Sequence, residues 1–234
     1  MISIVIPTLN EEGFIKSTIQ QTLDNAFERE ILEIIVVDAG SSDGTLDIVN
    51  ELGILSFSKP EFALKKFMSL DFGLSESSGD IVVFLDADTI LPKDFDLLIR
   101  KMLSKKNVIA GAFEFSFLNP DLKLMILTLI NGVRYRITKT YYGDQAIFAR
   151  KEALKSIGGI PKEPLMEAAY LCRALKRKGR LALIKEPIKT SSRRFTEYGF
   201  FRVTWFDINM FFRFNLGLPV SKYAEKYWSK NLTN

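Results

Sequence analysis

Histidine is missing from all 234 residues, and cysteine occurs once, at Cys172. Each absence removes a chemistry. Without an imidazole there is no Ser-His-Asp or Cys-His nucleophile, and without several His or Cys ligands there is no structural or catalytic zinc site. Any metal that this chain uses must therefore be held by oxygen. A single cysteine forbids an internal disulfide, in keeping with a reducing compartment, and Cys172 reads as a packed helix residue because a free thiol behaves as a small hydrophobe. Long apolar runs are also lacking. The most apolar stretches, 122–133 and 200–218, are too short or are broken by Arg202, Asp207 and Arg213, whereas a membrane-spanning helix needs about 20 apolar residues. The opening MISIVIPTLN carries neither a basic region nor a cleavage signal, so the expected location is the cytoplasm, either free or peripheral on the inner face of the membrane.

A large surplus of one charge is absent too: 32 Lys and Arg against 28 Asp and Glu leave a net +4. That is too little for a nucleic-acid stripe, and no nucleic-acid partner is expected; anionic small molecules or an anionic membrane surface suit it. What is present is the composition of a folded globular protein, 47% hydrophobic and 26% charged, at a length that fits one α/β domain.

The pattern along the chain alternates. Residues 2–6 form a β-branched run closed by Pro7, and 11–26 carry Ile15, Ile19 and Leu23 at helical spacing. Strands at 34–37, 54–57 and 81–85 and helices at 45–52 and 62–75 continue it, and Phe95, Leu98, Ile99, Met102 and Leu103 mark another helix face. Continuous Val/Ile/Phe strands alternating with helices imply a mostly parallel sheet covered on both faces. The second half is less regular, with strands expected at 112–117 and 146–149, helices at 121–137 and 166–178, and an extended segment at 181–194 whose Pro187 suggests an edge or a bend. Residues 200–216 are aromatic on most sides, with Arg202, Asn209 and Arg213 as a narrow polar stripe. This segment either packs on the core or on a second copy of the chain, or docks on a membrane interface.

Ligands of such sheets sit at the carboxyl ends of the strands. After the first strand stands Pro7-Thr8-Leu9-Asn10-Glu11-Glu12, and after the second Asp38-Ala39-Gly40-Ser41-Ser42-Asp43-Gly44-Thr45. The latter has an acid, then small residues whose N–H groups can approach a ligand, then a helix N-terminus, the layout of a nucleotide-binding turn. A plain turn with Asp43 capping the helix would look the same. Phe84-Leu85-Asp86-Ala87-Asp88-Thr89 puts two carboxylates at i, i+2 at a strand exit, so both point to one side and can share a cation. With oxygen ligands alone, Mg²⁺ or Mn²⁺ is favoured.

These segments, together with YYGDQAIFARKEALKSIGGIP, PLMEAAYLCRALKRKGR and TSSRRF, resemble family 2 glycosyltransferases of the GT-A fold, within a branch of short bacterial and archaeal members. The resemblance implies residues 1–195 as a GT-A nucleotide-sugar-binding and catalytic unit, with 196–234 a helical appendage. It also implies a UDP- or GDP-sugar donor, a hydroxyl acceptor, and inversion at the transferred sugar. Pro7, Thr8, Asn10 and Glu12 are then expected to border the nucleotide and Asp38 to contact its base, with Lys65 or Lys66, Asp71 and Gly73 continuing that wall. Asp86 and Asp88 would hold the metal diphosphate. The family places an acidic pair where this chain has Glu167-Ala168, and its second acid often acts as the general base. With Ala168 there, the base is Glu167, or Asp144 of Gly143-Asp144-Gln145, or catalysis is weak or absent and the chain is a sugar-nucleotide-binding module. Asp144, with Gln145 beside it, is otherwise an acceptor-site or structural residue. Arg193 and Arg194 stand where the family carries a basic and aromatic motif that can close over the pyrophosphate. A nucleotidyltransferase would show a glycine-rich basic loop after the first strand, and Pro7-Thr8-Leu9-Asn10 is not one.

Overall fold

A computed structural model describes residues 1–228; the end of the expected appendage, 229–234, lies outside the described residues. Strand β1 (Ile2–Thr8), helix α1 (Ile15–Asp24), β2 (Leu32–Asp38), α2 (Thr45–Glu51), β3 (Leu55–Ser58), α3 (Lys66–Glu76) and β4 (Ile81–Phe84) alternate as the hydrophobic pattern predicts. These four strands pair in parallel in the order β3-β2-β1-β4. Ile2, Ile4, Val5 and Ile6 of β1 are wholly buried. A strand covered on both faces needs such a run rather than alternation, and each of these side chains contributes roughly 1.5–3 kcal/mol by leaving water.

The chain continues through β5 (Thr89–Ile90), α4 (Phe95–Leu103), β6 (Val108–Phe117), α5 (Leu122–Thr138), β7 (Phe148–Arg150), α6 (Lys151–Ser156), α7 (Glu167–Lys176), β8 (Arg180–Thr190), α8 (Arg193–Tyr198), α9 (Phe200–Asn215) and α10 (Ala224–Trp228). Strand β7 lies antiparallel between β4 and β6, β8 runs parallel to β6, and β5 adds antiparallel to β8. The result is one eight-stranded sheet, β3-β2-β1-β4-β7-β6-β8-β5, with four of its seven pairings parallel.

Three local features of the sequence pattern have physical causes. Helix α1 starts at Ile15 rather than Glu11, because residues 11–14 form a turn in which the N–H groups of Phe14 and Ile15 both donate to the Glu11 carbonyl. Pro187 marks the expected bend: it faces Glu114 just past a register shift between Phe113 and Glu114, where a bulge accommodates its missing N–H, and β5 pairs with the other side of β8 only at Lys189 and Thr190. The strand also ends at Thr190, so Arg193 and Arg194 open a short helix instead of closing an extended segment.

Helix α3 lies unusually close to the sheet. A side chain at Gly73 would overlap Val5 and crowd Val37, so only glycine lets this helix, which carries Lys66 and Asp71, lie so close to β1 and β2. Helix α7 is held on two sides. Ala168, Leu171, Cys172 and Leu175 join the main core, while Ala169 packs with Met210, Phe214, Val220 and Ala224 in a second cluster under α9 and α10.

Candidate functional site

The tips of β1 and β2 are locked to each other. The buried Asp38 carboxylate accepts hydrogen bonds from Thr8 Oγ1 (3.0 Å), Gly40 N (2.9 Å), Ser41 N (2.8 Å) and the Ser41 hydroxyl. Asn10, in the left-handed region at φ 57°, accepts from Ser42 N at 2.8 Å. Glu12 accepts from Gly44 N at 2.8 Å, and Asp43, one residue ahead of the Gly44 N-cap of α2, accepts from Thr45 N at 3.1 Å. Pro7 continues β1 opposite Val37. The expected nucleotide wall is thus one rigid double turn, with Asp38 facing inward to brace it. Asp71 lies apart from that turn, where its Oδ1 accepts from Ile160 N at 2.8 Å and pins the loop ahead of α7.

Beyond β4 the carboxylates meet cations. Lys66 Nζ lies 2.5 Å from Asp86 Oδ1, with both side chains mostly buried. Gly143 makes room for this pair, since a Cβ there would stand 2.9 Å from Lys66 Nζ and 3.2 Å from Asp86 Oδ2. Burial works against the Lys66 ammonium, but Asp86 and Glu167 outweigh it and hold the proton more tightly than in an ordinary lysine. Asp88 lies 3.2 Å from Arg193 Nε. The same guanidinium grips Glu11 with two bonds of 2.7 and 2.6 Å and stacks over Phe14, so Arg193 clamps the β1 turn to the Asp88 turn. Burial, and then the neighbouring Asp86, still push the Asp88 carboxyl up to about 6. A carboxylate made unwilling to ionise in this way is short of positive charge.

Glu167 opens α7 directly after Met166, whose φ of 60° turns the chain so that the glutamate enters the cleft. Only 7% of it is exposed, and Lys66, Asp86, Gly143, Ala168 and Leu171 line the same small cleft. Burial raises its proton affinity, with Lys66 opposing and Asp86 adding. Burial and then Asp86 push Asp144 up to about 7, while Arg134 and Lys66 pull the other way. Gln145 faces away from the cleft: it donates to the Phe113 carbonyl at 3.1 Å and accepts from Tyr142 N at 3.2 Å, which fixes the 143–145 turn.

Arg194 does not join Arg193 at the Asp86-Asp88 turn. It donates to the Tyr227 hydroxyl at 2.9 Å, stacks on that ring and lies 3.5 Å from Asp207. Four residues that were not anticipated therefore matter. Glu11 anchors Arg193, and Arg134, Asp207 and Tyr227 form a half-buried polar group with Arg194 and Asp144. Glu11 was legible as an acid beside an expected strand tip, whereas the other three converge only through the packing of α5, α9 and α10.

Among the described residues, no group of three or more His, Cys, Asp or Glu side chains is arranged to hold an ion. Asp86 and Asp88 offer only carboxylate oxygens, and their partners are cations that can be exchanged. This donor set fits a hard divalent ion that receives most of its coordination from phosphates and water, not from a closed protein cage.

The chain is similar to several known proteins. A probable glycosyltransferase of Bacillus subtilis, YdaM, is 39% identical over 190 residues, which take in 73% of this chain and 45% of that protein, so the chain spans under half of its length. The mannosyltransferase PcManGT of Pyrobaculum calidifontis, solved with GDP-Man and Mn²⁺, superposes with a TM-score of 0.65 at 21% identity over 80% of this chain and 56% of that one, and so shares its fold. Glucosyl-3-phosphoglycerate synthase of Mycobacterium tuberculosis, solved with Mn²⁺ and UDP-Glc, gives 0.59 at 26% identity over 80% and 69%. The sequence profile of Glycosyl transferase family 2 matches residues 3–157, two-thirds of the chain, and the protein belongs to that family.

Proposed function

We propose that this protein is an inverting glycosyltransferase that moves a hexose from a UDP- or GDP-linked donor to a hydroxyl acceptor. One observation carries the reading: Asp86 and Glu167 line one cleft with Lys66, which pairs with Asp86, while Asp88, near enough to feel the charge of Asp86 and Lys66, pairs with Arg193. The turns at 7–12 and 38–45 form the nucleotide wall, with Asp38 holding its shape. Asp86 and Asp88 would hold a Mn²⁺ or Mg²⁺ that neutralises the diphosphate. Lys66 and Arg193, which pair with Asp86 and Asp88, would supply positive charge for the phosphate oxygens; the planar guanidinium suits bidentate contact with them. The acceptor oxygen attacks the anomeric carbon as the bond to the diphosphate breaks, and its proton passes to the Glu167 carboxylate. A base kept reluctant to stay charged by burial is well matched to that step.

Asp144 is the second reading for the base, favoured by a proton affinity raised to about 7. A weak or inactive sugar-nucleotide-binding module is favoured only by Ala168, which occupies the expected acid's position and is buried toward the core. Residues 1–195 would supply the donor site, and the appendage that follows would close its acceptor side through Asp207 and Tyr227, which hold Arg194. Release of nucleoside diphosphate from UDP- and GDP-sugars in the presence of Mn²⁺ tests the reading. Asp88→Ala should abolish the release and the metal-dependent part of nucleotide binding. Calorimetric affinity left unchanged by that substitution would remove the metal assignment.

A further inference from the structure

Scattered exposed apolar residues are ordinary on a protein surface, but a concentration of them is not. Of the eighteen large apolar side chains exposed among the described residues, thirteen lie between Leu122 and Ile137 on α5 or between Phe201 and Leu218 on and just after α9. On α5 the outward residues recur every three or four positions, Leu129, Ile130 and Ile137 among them, while Leu124, Gly132 and Tyr135 face inward. The helix is therefore amphipathic in reverse, with its broader apolar face toward solvent. Phe201, Trp205 and Leu216 do the same beside it, at 77%, 71% and 72% exposure. Lys123 reaches over Phe201 and Arg134 over Phe211, so the two helices run side by side in the same sense and their apolar residues form one surface.

Charge decides what can cover that surface. From Leu122 to Lys139 there are four basic residues and no acid, and from Phe200 to Lys222 three basic residues and one acid, Asp207. Asp207 is half-exposed, and its charge is met by Arg194 at 3.5 Å. Arg136 is shared with Glu114, but Lys123, Lys139, Arg202 and Lys222 stand exposed around the apolar area. A second copy docking by a two-fold axis would set this basic rim against itself, and like charges facing each other across an interface are repelled. A bilayer with anionic headgroups accepts both parts: the Trp, Phe and Leu side chains enter the acyl boundary while Lys and Arg meet the phosphates. We infer that α5 and α9 together form a monotopic docking face for an anionic membrane surface. No helix among the described residues is long and apolar enough to span a bilayer, so the attachment is in-plane. The surface stands whatever the cleft transfers.

The test uses the purified full chain and two kinds of vesicle, phosphatidylcholine alone and equal parts phosphatidylcholine and phosphatidylglycerol. The protein should co-sediment with the second kind, less with the first, and less with either as salt rises. Leu129→Glu with Trp205→Glu should lower partition at least about tenfold by placing charge in the acyl boundary, and Lys123→Gln with Arg202→Gln should lower it selectively on the anionic vesicles. In a Trp228→Phe background, where Trp205 is the sole tryptophan, its emission should shift to the blue on vesicle addition. Circular dichroism of the glutamate and glutamine variants should match the parent, since Leu129, Trp205, Lys123 and Arg202 are all exposed. Binding to neither vesicle, or undiminished binding by the glutamate variant, overturns the proposal. So does a dimer that the glutamate variant converts to a monomer without any vesicle binding.

Discussion

On the β1–β2 side of the cleft, Asp38, Asn10 and Glu12 give their side-chain oxygens to N–H and O–H groups of the 40–44 turn and to Thr8. On the α5–α9 side, Asp144, Glu167 and Asp207 are surrounded instead by charges from separate helices, and burial raises the proton affinity of all three. The first arrangement is a preformed polar scaffold whose hydrogen bonds are nearly all made within two adjacent turns. The second holds acids whose desolvation is only partly offset by Lys66, Arg134 and Arg194. Rigid, satisfied groups suit recognition of a constant nucleotide, whereas reluctant carboxylates suit proton transfer and exchange of partners.

Swapping acids for amides on the second side should show the largest effects. Glu167→Gln keeps the shape of the α7 N-terminus but removes the proposed base, and turnover should fall by roughly 10²-fold or more with nucleotide affinity little changed. Asp144→Asn should cost less than tenfold in the same assay; the reverse ranking would transfer the base role to Asp144. In the metal-free protein the Asp144 substitution should also be visible in stability. Its folded value of about 7 exceeds its ordinary 3.8, so the folded state binds the extra proton and stability declines as pH rises between those values. Asparagine should flatten that decline by on the order of 1–3 kcal/mol, read as a melting difference that is present at pH 8 and small at pH 4.

Next in size is the clamp that joins the two sides. Arg193→Lys retains the charge but loses the fork that grips Glu11 and reaches Asp88. Affinity for nucleoside diphosphate should weaken on the order of tenfold, by calorimetry with Mn²⁺, with a smaller change in folding stability. An unchanged affinity would separate the clamp from the diphosphate site.

The same contrast explains what could be read from the chain alone. Parallel strands announce themselves as apolar runs, and the residues at or just after their ends, Asn10, Asp38 and Asp86, gather along one edge of the sheet because β2, β1 and β4 run side by side in one direction. Glu167 was legible only through its surrounding motif. Its entry into the cleft depends on the left-handed Met166, a backbone state that no local pattern of Pro164-Leu165-Met166 declares. Gln145 was expected at the substrate, yet its amide is taken up by Phe113 and Tyr142, partners 32 and 3 residues away. Arg194 likewise turned to Asp207 and Tyr227 because α9 and α10 fold back over α7, a long-range contact with no sequence period.

The smallest effect should come from the scaffold itself. Thr8→Val preserves the β-branched shape in a strand that favours it and removes one donor to Asp38. The carboxylate keeps Gly40 N, Ser41 N and the Ser41 hydroxyl, so the loss should be about 1 kcal/mol, a fall of roughly 2–4 °C in Tm for a domain of this size. Nucleotide affinity should stay within about twofold, since a hydrogen bond lost from a redundant set costs little. A collapse of nucleotide binding in this variant, with the fold intact by circular dichroism, would show that Asp38 is poised for the ligand and not satisfied by its own turn. The division between a self-sufficient donor wall and a strained acceptor side would then fail at its most rigid point.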